Sequence, residues 1–400
     1  MAFIKEFTIT NLAGQVGRTH RVLDRNVNVF WGLNGRGKTT LLEILNCALF
    51  NRTDSLEHLP FEEAEIVFHS ENFDADICRR FSRNSTPQPP SPEEAEFELL
   101  SDLSTDDDVF ALTSPVSERW SSEEVNSSHL SDNQLSSRYK HTYLPISRAV
   151  PGRPTLRNRR PDSHPSYSDP TPEEIFVDQI QRVWRQYSSQ SNASIRSIQQ
   201  KGLATVLAIL FGGESIDEIP VHSNQSADQA YNLVQYFLKE QNLHLPFGKK
   251  RFIERYNSSK EHRAVAAEIE AVRTIVDEIL APQRELQSLI DEMYTGNKHL
   301  TLDPPTLRKP HSIGVEVEGG MIPLRSLSSG EKQLLTLLIE VLAVGESTVM
   351  IDEPELSLHV DWQQQLIPSM RRINPNAQLL LATHSPEIMI DVDDECVFEL

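Results

Sequence analysis

Two clusters of chemically specialised residues lie more than 280 positions apart in this 400-residue chain, and together they constrain its fold more than any other feature. Near the N-terminus, Gly32 to Thr39 reads GLNGRGKT and fits the pattern G-x-x-x-x-G-K-[ST]. It follows the apolar run Val27 to Trp31 and precedes the apolar, periodic segment Leu41 to Phe50, the strand–loop–helix setting that a phosphate loop requires. Gly32, Gly35 and Gly37 let backbone N–H groups curl around phosphate oxygens, Lys38 adds a point charge, and Thr39, with Thr40 beside it, offers a hydroxyl for magnesium. Asn34 and Arg36 at the loop tip face either solvent or the nucleotide of a second subunit. Near the other end come LSSGEKQ (Leu327 to Gln333), VMIDEPE (Val349 to Glu355), SLH (Ser357 to His359) and ATHSP (Ala382 to Pro386). One nucleotide site is therefore assembled from both ends of the chain.

The C-terminal cluster reads as a strand tipped with acids. Ser347 to Ile351 is short, apolar and partly β-branched, so it predicts a strand that delivers Asp352 and Glu353 at its C-terminal edge before Pro354 stops it. There Asp352 faces the magnesium ion carried by the phosphates, and Glu353 points toward an attacking water. Ser328 and Ser329 cap a helix that starts near Gly330 with Glu331 in its first turn, and such an N-terminus attracts phosphate.

In order and spacing these motifs resemble the head domain of the ABC-type ATPases. More narrowly, they are similar to the branch that contains the SMC proteins, the double-strand-break repair ATPases, RecF and the OLD-type ATPases of bacterial and phage defence, where a long insertion divides the head. DEPELSLH with ATHSP is especially like the OLD-type and related defence ATPases. The likeness covers roughly residues 1 to 60 and 310 to 400. It implies an α/β head with a mixed sheet, ATP and Mg2+ as cofactors, and Lys38, Glu353 and His384 as catalytic groups, with His384 touching the terminal phosphate. It further implies that Ser328, Ser329, Gly330 and Glu331 meet the nucleotide of another copy, so that a homodimer or higher homo-oligomer forms as a head-to-tail ATP sandwich. His359 falls in what looks like the subunit-communication loop. A head of this type also carries a glutamine-bearing switch loop; no glutamine ends an apolar strand near Ala64 to His69.

Between the two clusters the composition changes character. Residues 91 to 130 hold eleven Asp or Glu against a single basic residue, Arg119, and supply much of the formal charge of −20. That charge argues against a uniformly basic nucleic-acid binder without excluding DNA, because backbone affinity comes mainly from Lys and Arg. The pattern predicts an N-terminal part of the head over 1–81, with strands at Ala2 to Thr10, Arg18 to Leu23, Val27 to Trp31 and Ala64 to His69, the last with a possible continuation at Asp76 to Phe81. An acidic, Ser/Pro-rich, partly disordered insertion is expected over 82–172, mobile through 82–140, where Glu96 to Leu100 could form an isolated strand, and with a strand at 140–148 that ends at Arg148. A helical insertion with short coiled-coil-like helices is expected over 173–299, and the rest of the head over 300–400. Within the insertion, Glu173 to Tyr187, Ile195 to Leu210, Ala227 to Lys239 and Glu261 to Tyr294 carry helical periodicity, the last either bent at Pro282 or split there. Cys47, Cys78 and Cys396 form no close-spaced metal pattern, the thirteen histidines form no H-x-x-x-H pair, and no apolar run approaches the ~20 residues that cross a bilayer. A cytoplasmic protein without membrane contact is the expectation.

Three functions fit such a head: a defence ATPase that controls a separate nuclease or other toxic effector, a repair ATPase resembling RecF that clamps duplex DNA, and a transporter's ATP-binding subunit. The large insertion disfavours the transporter. The acidic insertion and short helical region favour protein contacts over long DNA-bridging arms, and only residues 385 to 400 follow His384, so any nuclease is expected on a partner.

Overall fold

The computed structural model describes residues 2–53, 55–83, 120–125, 130–145, 171–211, 226–240, 244–303 and 312–400. The acidic stretch 91–119, the strand expected at Glu96 to Leu100, Arg148 and the loop 151–170 lie outside them. The chain divides into two compact units, Met1–Val177 with Pro323–Leu400, and Asp178–Ile322.

The first unit is built on two five-stranded sheets. One has β1 (Ala2–Thr10), β2 (Arg18–Val22), β4 (Glu63–Ser70), β5 (Ala75–Ser82) and β6 (Ser121–Glu124) in the order β2-β1-β4-β5-β6, antiparallel throughout. The other has β3 (Val27–Trp31), β7 (Thr142–Leu144), β11 (Thr348–Asp352), β12 (Gln378–Thr383) and β13 (Val397–Glu399) in the order β13-β3-β12-β11-β7, parallel throughout. Parallel and antiparallel strands thus both occur, but they segregate, and the phosphate loop leaves a wholly parallel sheet. Every residue of β11 and β12 is buried, as the near-continuous apolar runs of a sheet covered on both faces require.

Helix α1 (Lys38–Phe50) packs against β11 and β12 on one side and β4 on the other. Leu41, Leu42, Ile44, Leu45, Ala48 and Leu49 join Phe30, Met350 and Leu380 of the parallel sheet and Ile4, Phe7, Ile66 and Phe68 of the antiparallel sheet in one core. Helix α7 (Ser329–Val344) contacts β11 and α8 (Val360–Ile373).

Two polar knots hold these layers together. A register shift between Ile4 and Glu6 interrupts the β1–β4 ladder. Gln378 compensates from β12: its Nε2 donates to Ile4 O (2.7 Å) and Asp24 O (2.9 Å), and its Oε1 accepts from Ile4 N (2.9 Å) and Thr348 Oγ1 (3.0 Å). The second knot is Arg79 on β5, fully buried, which donates to the carbonyls of Ala48 and Leu49 at the end of α1 and of Leu135 (2.9 Å) and Ser137 (2.6 Å). Its guanidinium also stacks on Phe68 and Tyr139, and burial draws it down to about 10.

Part of the segment expected to be mobile is therefore ordered. Trp120 buries against Phe81 and donates from Nε1 to Arg52 O (2.7 Å), β6 adds an edge strand, and Asp132–Leu135 forms the short helix α2. Of the strand expected over 140–148, Thr142–Leu144 is β7, and it lies beside β11. The segment leaving the sheet next to Asp352 consequently begins at Pro145. β4, where a switch glutamine was sought, belongs to the antiparallel sheet instead.

The second unit contains most of α3 (Pro172–Leu210), with α4 (Ala227–Glu240), α5 (Lys249–Ser258) and α6 (Lys260–Met293). The two helices expected at Glu173–Tyr187 and Ile195–Leu210 are one, because no breaker separates them, and α6 runs through Pro282. Helix α5 was not anticipated. Ala266, Ile269 and Val272 of α6 bury against Leu233, Val234 and Phe237 of α4 and Phe252 and Tyr256 of α5. A Cβ on Gly202 of α3 would lie 2.2 Å from Val272 Cγ2, so glycine permits that close approach. An antiparallel sheet, β8 (His299–Asp303), β9 (Ser312–Val317) and β10 (Gly320–Ile322), completes the unit, which runs on past residue 299, where its end was expected.

The Gln378 knot makes a stability prediction. Gln378→Leu keeps the side-chain bulk but leaves the buried Ile4 N–H and C=O without partners, so stability should fall by about 3 kcal/mol or more. A denaturant midpoint equal to that of the unsubstituted protein would refute this account.

Candidate functional site

The phosphate loop is shaped by two glycines with positive φ, Gly35 (85°) and Gly37 (93°), the latter the N-cap of α1. At Gly37 a Cβ would also meet Ala13 Cβ at 2.7 Å, so the loop is pressed against the turn Leu12–Gly14. Lys38 folds back into this loop, buried, and donates from Nζ to Gly32 O (2.8 Å). Asn34, Gly35, Gly37, Lys38, Thr39 and Thr40 line a cleft of about 530 Å³ together with Glu353, His384, Ala13, Pro60 and Leu356. Arg36 is exposed outside that lining and gives its carbonyl to Gln15 Nε2 (3.4 Å).

β12 separates β3 from β11 in the parallel sheet, so the loop after β3 and the acids after β11 open at the same edge. Thr39 Oγ1 donates to Asp352 Oδ2 at 2.7 Å. A hydroxyl and a carboxylate oxygen at this spacing suit Mg2+, whose octahedron of ~2.1 Å bonds places neighbouring oxygens about 3 Å apart. Glu43, one turn along α1 from Thr39, adds to the field: burial raises its carboxyl, and the charge of Asp352 raises it further. Tyr143 on β7 is shifted upward too, by burial and then by Glu43 and Asp352. A divalent cation relieves such mutual repulsion. Glu43 was missed in the sequence; its position four residues after Thr39, on the same helical face, is the signal that marks it.

Glu353 adopts a left-handed backbone (φ 48°) and donates its N–H to Ala382 O (2.8 Å), which turns its side chain away from the course of Asp352. Its carboxylate, nearly buried, lies 3.4 Å from Lys38 Nζ and makes a short hydrogen bond to His384 Nδ1. Burial raises the Glu353 carboxyl most, and hydrogen bonding and charge from Glu355 add to it, whereas His384 and Lys38 act in the opposite direction. Glu355, also buried, lies 3.1 Å from His384 Nδ1. Sequence reasoning took Glu355 only as part of a motif, yet it stands at the centre of this network.

The predicted signature residues are placed elsewhere. Ser328 alone is the N-cap of α7: its Oγ accepts from Glu331 N (3.3 Å), and its N–H donates to Glu331 Oε2 (2.8 Å). Ser329 is the first helical residue rather than a cap, and the Glu331 side chain is buried in that reciprocal bond. Gly330 packs so tightly that a Cβ would sit 2.7 Å from Ser357 O. None of Ser328, Ser329, Gly330 and Glu331 lines the cleft beside Lys38. His359 caps α8, accepting at Nδ1 from Asp361 N (3.4 Å).

The profile of the family described as "AAA domain, putative AbiEii toxin, Type IV TA system" matches residues 27–391. The chain is similar to the retron Ec83 probable ATPase of Escherichia coli, 24% identical over 46% of this chain and 36% of that one. It is also similar to the retron Vc95 probable ATPase of Vibrio cholerae, 22% identical over 93% of this chain and 68% of that one. The chain thus spans about a third and about two thirds of the lengths of these relatives. A Smc head domain with an extended coiled coil, bound to the C-terminal domain of ScpA and derived from Pyrococcus furiosus, aligns over 97% of this chain and 91% of that one, with 12% identity and a TM-score of 0.41.

The geometry predicts different effects at Lys38 and Glu353. Lys38→Ala should weaken nucleotide binding by roughly 10- to 100-fold, the worth of a charge-assisted phosphate contact. Glu353→Gln should leave affinity within about threefold and lower kcat by roughly 100- to 10,000-fold, the scale of general-base catalysis. Titration with a fluorescent ATP analogue and steady-state phosphate release measure the two effects.

Proposed function

The chain belongs to the AAA-domain family described as putative AbiEii toxin, Type IV TA system, and from that premise we propose that it is the Mg-dependent regulatory ATPase of a defence system, in which ATP-driven pairing of two copies controls a separate toxic or nuclease effector. The observation that carries the ATPase reading is the convergence of Lys38, Glu353 and His384 on one cleft beside the Thr39–Asp352 pair. The backbone N–H groups of Gly35 to Thr39 and the Lys38 ammonium bind the phosphates, and Glu353 accepts the proton of the attacking water. His384, with two carboxylates beside Nδ1, carries its proton there and orients the water and the terminal phosphate. Thr39 and Asp352 would hold Mg2+, and the ion would supply positive charge against the phosphates.

Two features support pairing of copies. The signature residues lie outside their own chain's cleft, and Leu33 (72% exposed) and Leu356 (40%) on the site's loops and Val360 (47%) at the start of α8 leave apolar side chains exposed. Support for a defence role comes from the family description and from the relatives named as retron ATPases. The helical insertion, residues 173–295, is the proposed effector-holding surface, through apolar side chains beyond those that its own packing uses. Ile180, Trp184, Ile269, Val272, Leu286, Leu289, Ile290 and Met293 are all buried. What α3 leaves exposed is Leu203, Leu207 and Leu210, with Phe211 (87%) following.

Mixing Lys38→Ala protein with Ser329→Arg protein should restore turnover to at most one competent site per dimer, whereas either variant alone is inactive. Full activity from a species that light scattering shows to be monomeric overturns the pairing.

The intact protein, expressed with its neighbouring genes, should copurify with a second protein at fixed stoichiometry, and Leu207→Glu with Phe211→Glu should release that protein while ATP turnover persists. Native mass measurement reads the result. Homo-oligomers alone, with ATP-dependent protection of duplex DNA, would shift the assignment to a DNA-clamping ATPase.

A further inference from the structure

Glu355 contacts neither the phosphate loop nor Asp352 in any hydrogen bond or ion pair described above, yet it is one of the most heavily used carboxylates in the molecule. Its Oε1 accepts from Thr383 Oγ1 (2.6 Å), His384 N (3.0 Å) and Ser385 N (3.1 Å), and it lies 3.1 Å from His384 Nδ1. Thr383, fully buried at the end of β12, also accepts from Ser385 N (2.9 Å), which closes a small ring around the histidine. One oxygen therefore fixes the backbone on both sides of His384 as well as the imidazole itself.

A second anchor acts on the same loop. Gln363 of α8 accepts at Oε1 from Ser385 Oγ (2.8 Å) and donates from Nε2 to Leu358 O (2.9 Å), tying the histidine loop to the segment that carries Glu355. That segment is bracketed by two non-glycine residues with positive φ, Glu353 (48°) and Ser357 (67°), so its conformation is held by the surrounding bonds rather than by local preference. His384 itself is half-exposed.

We infer that Glu355 is the positioning residue for His384: it holds the histidine loop at the register where the imidazole meets Glu353, so that one turn, 353–355, sets the base and the switch histidine together. The inference deepens the proposed function and rests on its assignment of His384 to hydrolysis. Replacing Glu355 should disturb the reacting geometry and spare the phosphate contacts, which lie on the loop after β3.

The test is a double-mutant cycle in the full chain: unsubstituted protein, Glu355→Gln, His384→Ala and the double variant. Steady-state ATP hydrolysis, affinity for a fluorescent ATP analogue and thermal unfolding are measured on each. Glu355→Gln and His384→Ala should each lower kcat by roughly 10- to 100-fold, the range for groups that orient a reacting residue, with Kd within about threefold. The double variant should turn over no more slowly than His384→Ala alone, because Glu355 acts through the histidine. Multiplying losses, or a Glu355→Gln enzyme with unchanged kcat beside an impaired His384→Ala, overturn the positioning role and leave the function of His384 standing. An unimpaired His384→Ala instead overturns the assignment of that histidine, and the inference with it. Should Glu355→Gln unfold at the assay temperature, Thr383→Val removes the hydroxyl between Glu355 and Ser385 N in a near-isosteric way. It should lower kcat by roughly 3- to 10-fold in the His384 background and not at all in the His384→Ala background; an equal loss in both overturns the proposal.

Discussion

A single 2.7 Å hydrogen bond, from Thr39 Oγ1 to Asp352 Oδ2, joins positions 313 residues apart, and the site exists only because the sheet makes that bond possible. Neither loop has the chemistry alone: one carries backbone N–H groups and a lysine, the other carboxylates. They meet because β3 is inserted between β12 and β13, so an N-terminal strand becomes the neighbour of the last two strands in the chain. Closing so long a loop costs entropy that grows only slowly with length, which is why a large insertion between the two halves is tolerated. The register does the rest, pairing Trp31 with Thr383 and Ala382 with Asp352, so that all three strands end at one edge.

Charge at that edge is arranged against its own repulsion. Asp352, Glu353 and Glu355 are buried within four residues of sequence, and Glu43 stands beside the first of them. Burying carboxylates this densely is unfavourable unless each finds a compensating group. Glu353 takes Lys38 and His384; Glu355 takes two backbone N–H groups and a hydroxyl; Asp352 takes the Thr39 hydroxyl. Burial, and then Glu355, raise the Glu353 carboxyl, and a divalent cation beside Asp352 would relieve the repulsion among these acids.

What was legible in the sequence is what local chemistry determines. β1 and β3 fall at the residues their apolar patterns indicate, and the phosphate loop, Asp352, Glu353 and His384 are recognisable because each motif is contiguous. What was not legible depends on distant partners. Nothing around Gln378 announces that its amide completes the backbone of Ile4, nor around Arg79 that it gathers carbonyls from α1 and from the segment after β6. The segregation of parallel from antiparallel strands was hidden for the same reason: apolar runs identify strands but not their neighbours. Placing β7 beside β11, rather than any strand before residue 83, is likewise a matter of pairing. Apolar stripes on α3 and α6 revealed helices correctly but not what covers them: Ile180, Trp184, Ile269 and Val272 are buried, whereas Ile175, Val183, Val276 and Ile279 are half-buried.

The turn after β11 shows why adjacent acids can divide one reaction between them. In an extended strand Asp352 and Glu353 would point to opposite faces of the sheet, and only one would reach the cleft. The left-handed φ at Glu353 breaks that alternation, at a cost of roughly 1–2 kcal/mol for a residue with a Cβ. The bonds of Glu353 N to Ala382 O and of its carboxylate to His384 and Lys38 offset that cost. Strain at this point is therefore not incidental: it turns Glu353 toward Lys38 and His384 while Asp352 stays beside Thr39, and it leaves Glu355 two residues later facing the end of β12. A glycine at 353 would relieve the backbone and remove the carboxylate beside Lys38 and His384. The position accordingly needs both a difficult φ and a carboxylate, and the surrounding hydrogen bonds are what allow the two to coexist.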